Sequence, residues 1–242
     1  MLLTATVDPR NVVKVARRDP RQRLNDYKTA LRTCWLSERC IADLIFCENS
    51  NHDLEDIHQL CNQGSALGRR TEVISFEGQQ FPPHLGKGYG EIGIISYALR
   101  HSKLLLDGNP IIIKATGRLM VPNIGTLIKK TLKNQSFDIA CDFRGNLQWV
   151  DSRIFIARKQ FLKEYLVPMQ ALADDSCGMT FEHILSRATH KAMGDGLRWS
   201  PMSCTPEIHG IAGTCGTAYP KSWAGWLTRD MFRRVKHLVI AR

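Results

Sequence analysis

The stretch Asp43-Leu44-Ile45-Phe46-Cys47-Glu48-Asn49-Ser50 decides the fold. Leu44 to Cys47 is an unbroken apolar run, without the alternation of a strand that has one wet face. Asp43 precedes it, and the polar cluster Glu48-Asn49-Ser50-Asn51 ends it. Such a run reads as a strand buried on both faces, the condition of a parallel sheet covered by helices. Working outward, Leu2–Val7, Glu72–Phe76 and Pro110–Lys114 repeat the pattern. Between these strands the period becomes helical. Pro20–Ser37 opens with Asp19 as N-cap and Pro20 at the first position, and carries Leu24, Tyr27, Leu31 and Trp35 on one side. Asp53–Asn62, Gly90–Lys103 and Asn123–Leu132 read as further helices. This alternation predicts an α/β domain with a mixed, mainly parallel sheet flanked by helices.

The second half reads differently. Phe137–Phe143, Leu147–Val150 and Arg153–Ala157 are expected strands, with Arg144-Gly145-Asn146 turning between the first two. Helices are expected from Phe161 to Leu166 and over Thr180–Met193, then an irregular Ser200–Gly216. No repeat or flexible linker divides the chain, so residues 1–220 are read as one domain. Residues 221–242 are read as a basic C-terminal helix. In it Trp223, Leu227, Met231, Val235 and Val239 share a side, the profile of a helix lying on an anionic membrane surface.

The chain has 242 residues and a formal charge of +10. The charge is confined to the ends: residues 1–32 hold eight Lys or Arg against three Asp, and residues 221–242 hold six against Asp230. The middle sums to zero. That distribution, with no RRM, KH or zinc-finger signature, argues against nucleic acid as partner. No apolar run approaches the roughly 18–20 residues of a membrane-spanning helix. The apolar start lacks the basic region of a signal peptide. Eight cysteines without a CxxC pair or zinc spacing read as reduced thiols in a cytoplasmic protein.

In an open parallel sheet, ligands bind beyond the carboxyl ends of the strands. Candidate residues there are Thr4, Thr6 and Asp8, then Glu48 and Asn49, then Lys114, Thr116, Gly117 and Arg118. Lys114 and Arg118 beside a glycine form either an anion clamp or a solvated turn. The loop Gly86-Lys87-Gly88-Tyr89-Gly90-Glu91 either presents Lys87, Gly88 and Tyr89 to a phosphate and base, or simply joins loop to helix. Asp142 with Arg144, and Asp151 with Arg153, either bind sugar hydroxyls or hold the hairpin. Glu182, followed by His183, is either a general base or a favourable charge at a helix start. The glycine-rich segment with His209, Gly210 and Gly213 either folds around a substrate or is a tight loop. No paired-His or HExxH pattern implies a metal site.

Several of these stretches occur together in a recognisable order. Phe46-Cys47-Glu48-Asn49-Ser50, Ser75-Phe76-Glu77-Gly78, Gly86–Glu91 and Ile113–Arg118 are followed by Asp151-Ser152-Arg153, Phe181-Glu182-His183 and His209–Gly213. The set resembles a family of bacterial GT-A-like glycosyltransferases associated with lipopolysaccharide and capsule polysaccharide synthesis, over residues 2–220. The resemblance implies a Rossmann-type nucleotide-sugar half (residues 1–122), an acceptor half (residues 123–220) and cytoplasmic work at the inner membrane face. Its implied substrates are a nucleotide-sugar donor and a saccharide or lipid-linked acceptor. It casts Thr4, Thr6, Asp8, Glu48, Asn49, Lys87, Gly88, Tyr89, Lys114, Thr116, Gly117 and Arg118 as donor-binding, with Glu182 as base and Asp151 in reserve. Asp142, Arg144, Arg153, His183, His209, Gly210 and Gly213 would meet the acceptor. GT-A enzymes typically hold a divalent metal with an Asp-x-Asp element, and this chain has none. Cationic side chains replace the metal, the donor has a single phosphate, or scattered carboxylates bind the ion; the first is preferred, and no metal ligand or firm cofactor is assigned. A catalytically inactive scaffold of the same fold and a basic nucleic-acid-binding protein are the alternatives.

Overall fold

In the computed structural model, the described residues are 1–219 except 11, 66, 67, 134 and 135, together with 228, 230 and 231. The first half alternates as expected: β1 (Leu2–Ala5), α1 (Pro20–Ala30), β2 (Asp43–Glu48), α2 (Glu55–Ser65), β3 (Arg70–Ser75), α3 (Gly86–His101), β4 (Ile111–Thr116) and α4 (Ile124–Lys133). The second half adds β5 (Ile139–Ala140), β6 (Phe143–Arg144), β7 (Trp149–Val150), β8 (Ile154–Arg158), α5 (Lys159–Phe161), α6 (Phe181–Gly194) and β9 (Trp199–Ser200).

One seven-stranded sheet runs in the order β3-β2-β1-β4-β8-β5-β9. Its strands are parallel except β8, which is antiparallel to both neighbours. The expected mixed, mainly parallel sheet is therefore present, and strands from the second half extend it. The order reverses between β1 and β4, because the chain leaves β1 toward β2 and β3 and returns on its other side. A crevice forms at such a reversal.

Strand alternation divides the core into two layers. Leu3, Leu44, Phe46, Ile113 and Ala115 pack with Tyr27, Trp35, Ile57 and Leu127, on the side of α1, α2 and α4. Leu2, Ile45, Cys47, Ile112 and Phe155 pack with Ile92, Ile95, Phe181 and Ile184, on the side of α3 and α6. Burial on both faces is the physical reason these strands read as continuous apolar runs. Trp35 is fully buried and gives its indole N–H to Gly117 O at 3.1 Å. All eight cysteines are free thiols, and burial pushes those of Cys34 and Cys61 up to about 11.

Asp19 caps α1 as expected, accepting from Arg21 N at 2.9 Å. Several elements differ from expectation, among them the helix expected over Phe161–Leu166, which is a π turn over Leu162–Leu166. The first helix ends at Ala30 and continues as a wider π turn, Leu31–Trp35. The expected strand Phe137–Phe143 divides: β5 joins the main sheet, while β6 pairs only with β7. Asp142 stands at the division, its carboxylate taken by Met202 N at 3.0 Å. Finally α3 starts at Gly86 rather than at Gly90, so both Gly88 and Gly90 lie inside the helix. They permit close approach: a Cβ on Gly88 would lie 2.8 Å from Phe181 N, and one on Gly90 would lie 3.1 Å from the Phe81 ring.

The expected basic helix over 221–240 lies outside the described residues, apart from Thr228, Asp230 and Met231. Asp230 is buried and accepts from Thr205 N at 2.7 Å. No helix among the described residues is long and apolar enough to cross a membrane.

The glycine positions generate a stability prediction. Gly88→Ala should lower stability by about 1–3 kcal/mol, the usual penalty of overpacking. Gly194→Ala, at the open end of α6, should be neutral or gain up to about 1 kcal/mol from helix propensity. Urea denaturation of both variants checks the order.

Candidate functional site

A cleft opens where the strand order reverses. Thr4, Ala5, Thr6 and Thr116 from the ends of β1 and β4 line it, with Asn49 beyond β2 and Glu91 and Ile94 from α3. Pro9, Val12 and Val15, from the loop after β1, form an apolar wall. Ala16 N–H holds that loop to Gly213 O at 2.9 Å, and Lys14 Nζ bonds Asp175 O at 2.5 Å. Tyr27 and Phe81 add aromatic surface.

Glu91 enters from the first two turns of α3. Its Oε1 accepts from Thr4 Oγ1 at 2.7 Å, Lys114 Nζ at 2.5 Å and Thr116 Oγ1 at 3.3 Å. The Lys114 side chain is 0% exposed, that of Glu91 21%. Lys114 also bonds Ser152 O at 2.7 Å and lies 5.2 Å from the Phe181 ring centroid. Burial alone would push the Glu91 carboxyl up. The Lys114 charge and hydrogen bond, with the Thr4 bond, outweigh it and hold the group below its ordinary value.

Three cations face the same cleft: Arg23, Lys87 and Arg118. Arg23 donates to Thr6 O at 2.8 Å and Arg17 O at 3.1 Å. Arg118 donates to Ile211 O, and Lys87 Nζ to Thr214 Oγ1. Among the described residues none of the three makes an ion pair. Burial lowers the Arg118 pKa from its ordinary value, but a guanidinium remains charged near neutrality. The cleft therefore presents unneutralised positive charge and hydrogen-bonding groups against an apolar wall, an arrangement that suits an organic anion.

Of the expected donor-binding residues, Thr4, Thr6, Asn49, Lys87, Thr116 and Arg118 line this cleft. The others have different surroundings. Lys114 is not a clamp on a surface turn, because it is sealed under Glu91. Glu48 is fully buried and accepts from Val7 N at 2.8 Å, Ser50 N at 2.9 Å and Ser75 Oγ at 3.3 Å, so it organises loop backbone. Asp8 accepts from Arg10 N at 3.0 Å. Gly117 donates to Thr4 O at 3.0 Å and keys β4 to β1. Gly88 packs on Phe181, and Tyr89 packs on Phe81 with ring centroids 5.0 Å apart. The glycine loop expected to cradle phosphate is thus the first turn of a helix, and Asp175 caps it through Lys87 N at 3.2 Å.

Glu182 is outside the cleft lining, accepting from Ser152 Oγ at 2.8 Å and Thr180 Oγ1 at 2.7 Å. Asp151 is neutralised by Arg153 at 2.5 Å, with Arg144 at 3.5 Å. Burial would raise the Asp151 carboxyl, yet Arg153 and then Arg144 keep it low.

The expected acceptor residues do not form one site. Arg144 and His183 line a surface groove with Gln148 and Trp149. Gly213 lies on the main cleft, against the Arg118 guanidinium. Asp142 is taken by Met202 N, and Arg153 lies 4.9 Å from the Tyr219 ring centroid. His209 bridges Met120 in antiparallel fashion, and Gly210, at φ +123°, leaves room for Leu119.

The sequence reading missed Arg23, Glu91, Gln79, Tyr27 and Phe81 as lining residues. Spacing holds part of the signal: Arg23 with Tyr27, and Lys87 with Glu91, are i,i+4 pairs on one helix face.

By sequence, no protein family and no curated protein matches the chain. Among solved structures, the chain is similar to a nucleoside-diphosphate-sugar pyrophosphorylase from Vibrio cholerae RC9. The two are 9% identical, the match covers 84% of this chain and 91% of that one, and the TM-score is 0.47.

The buried ion pair sets an order among variants. Glu91→Gln strands a fully buried ammonium and should destabilise by about 3–5 kcal/mol, whereas Lys114→Met leaves a partly solvated carboxylate and should lose less. The double variant should recover most of the loss. Because the folded Glu91 pKa is depressed, its contribution is complete above the ordinary carboxyl range and fades as pH falls through the folded value. Urea titrations at pH 7 and pH 4 check both statements.

Proposed function

We propose that this chain is a glycosyltransferase that moves a sugar from a nucleotide-activated donor to a saccharide or lipid-linked acceptor. One observation carries the reading. The cleft at the strand reversal is lined by Arg23, Lys87 and Arg118, none of them ion-paired among the described residues. A donor phosphate group would meet these cations, and the apolar and aromatic walls would receive the nucleoside. When the glycosidic bond breaks, charge develops on the departing phosphate, and fixed cations stabilise it without reorganising.

The lining groups do not suit the divalent metal usual in GT-A enzymes. Glu91 is the only carboxylate lining the cleft among the described residues, and Lys114, Thr4 and Thr116 already share its Oε1. No step is therefore routed through a metal.

Glu182 is the proposed base for the acceptor hydroxyl. Ser152 joins it to the cleft floor: its hydroxyl donates to Glu182 and its carbonyl accepts from Lys114. Thr180 continues the chain to His183, which lines the surface groove of Arg144 and Trp149. The acceptor would approach from that groove. The basic segment 221–242 would hold the enzyme on an anionic membrane carrying a lipid-linked acceptor.

Arg118→Ala should weaken nucleoside-diphosphate binding by about tenfold to hundredfold, the range for hydrogen bonds to charged groups. Arg144→Ala, outside the cleft, should leave it unchanged. Titration calorimetry across the common nucleoside diphosphates and their sugar conjugates measures both, and absence of binding by the wild type would reject the reading. Glu182→Gln should lower turnover of a bound sugar donor by about 10²–10⁴-fold while leaving donor affinity intact. Product release from radiolabelled donor reads that rate.

A further inference from the structure

The Glu91 carboxylate has a role that the phosphate-binding cations do not explain. Its Oε1 carries three donors, from Thr4, Lys114 and Thr116. Its Oε2 has no hydrogen-bond partner among the described residues, yet it is not among the buried oxygens without one. The residue lines the cleft, so Oε2 is an open acceptor there. Lys114 keeps the group ionised and only weakly basic.

An ionised oxygen beside Lys87 and the two arginines would repel a phosphate. It cannot donate a hydrogen bond, and its low basicity makes it a poor proton abstractor. It is suited to accepting hydrogen bonds from neutral hydroxyls attached to an anionic ligand. One carboxylate oxygen has lone pairs for two such donors.

We propose that Glu91 Oε2 receives a pair of neighbouring hydroxyls from the ligand, so that the cleft selects a sugar ring with an intact diol close to its phosphate. This rests on the reading of the cleft as a nucleotide-sugar site and specifies which part of the ligand is read. Thr4 and Thr116 hold the carboxylate in place from the ends of β1 and β4, and Lys114 supports it from beneath. Recognition of the diol is therefore built into the ends of the two central strands.

The diol belongs to a ribose or to a transferred hexose, and calorimetry separates the two. One arm compares ribonucleoside diphosphates with their 2′-deoxy forms. The other compares hexose 1-phosphates with their 2-deoxy forms. In at least one arm the wild type should prefer the intact diol by about tenfold to hundredfold. Glu91→Gln combined with Lys114→Met removes both charges without stranding either. That variant should reduce the preference, read as the ratio of intact to deoxy affinity, to about threefold or less while still binding inorganic pyrophosphate. A preference that persists in the double variant would overturn the assignment. So would equal binding of intact and deoxy ligands by the wild type, a result that needs no variant to fold. A wild type that binds pyrophosphate but no nucleotide or sugar phosphate would overturn both this inference and the nucleotide-sugar reading. Binding of nucleotides without diol preference would overturn this inference alone.

Discussion

The ion pair between Lys114 and Glu91 is the constraint on which the cleft depends. Lys114 follows Ile111-Ile112-Ile113 in a central strand, where an unpaired ammonium would be severely destabilising. Its partner must come from the helix that crosses above, so the first turns of α3 are drawn down onto β4. Gly88 lets the same helix pass close to Phe181 at the start of α6. Asp175 then caps the helix start at Lys87 N. One buried charge thus fixes where α3 begins, which face it presents and where Lys87 emerges. The same pair supplies the cleft with a carboxylate whose second oxygen remains open.

The alternation of β1, α1, β2, α2, β3 and β4 was legible because burial on both faces leaves an unmistakable apolar run, and because Asp19 and Pro20 mark a helix start locally. The second half was less legible. β5, β6 and β7 have two residues each, too few for a period to develop. Their division at Asp142 depends on Met202, sixty residues away. The glycines at 86 and 88 looked like a loop because local propensity counts against glycine in a helix, whereas Gly86 takes a positive φ beside Asp175 and Gly88 makes room for Phe181 of α6. That a ligand site would lie beyond the carboxyl ends of the strands followed from the parallel alternation. Which polar side chains face it did not. Glu48 and Lys114 stand at the ends of strands like Thr4 and Thr116, but long-range bonds turn them into interior structure.

The net charge shows the same division between tied and available groups. Arg10 pairs with Glu77, Arg17 with Asp26 and Lys28 with Asp56, so much of the basic N-terminal segment is neutralised within the fold. Arg18 donates to the carbonyls of Arg10 and Val12, bracing the loop that forms the apolar wall. Arg23, the most enclosed of the group, reaches the cleft itself. Within the basic N-terminal segment, several residues brace the fold locally and one reaches a site.

What separates the cleft cations from the ion-paired Arg10, Arg17 and Lys28 is the chemistry of their anchors. Arg23 is held by the carbonyls of Thr6 and Arg17, Arg118 by the carbonyl of Ile211, and Lys87 by the hydroxyl of Thr214. A carbonyl or hydroxyl orients a cation through a hydrogen bond but brings no formal charge, so the positive field survives. A carboxylate would orient it equally well and cancel that field. Gly213 completes the arrangement around Arg118: a Cβ there would lie 2.6 Å from a guanidinium nitrogen and displace it. The main-chain carbonyls around the crevice therefore do two things at once. They fix where the cations stand, and they leave the charge to be neutralised by a ligand.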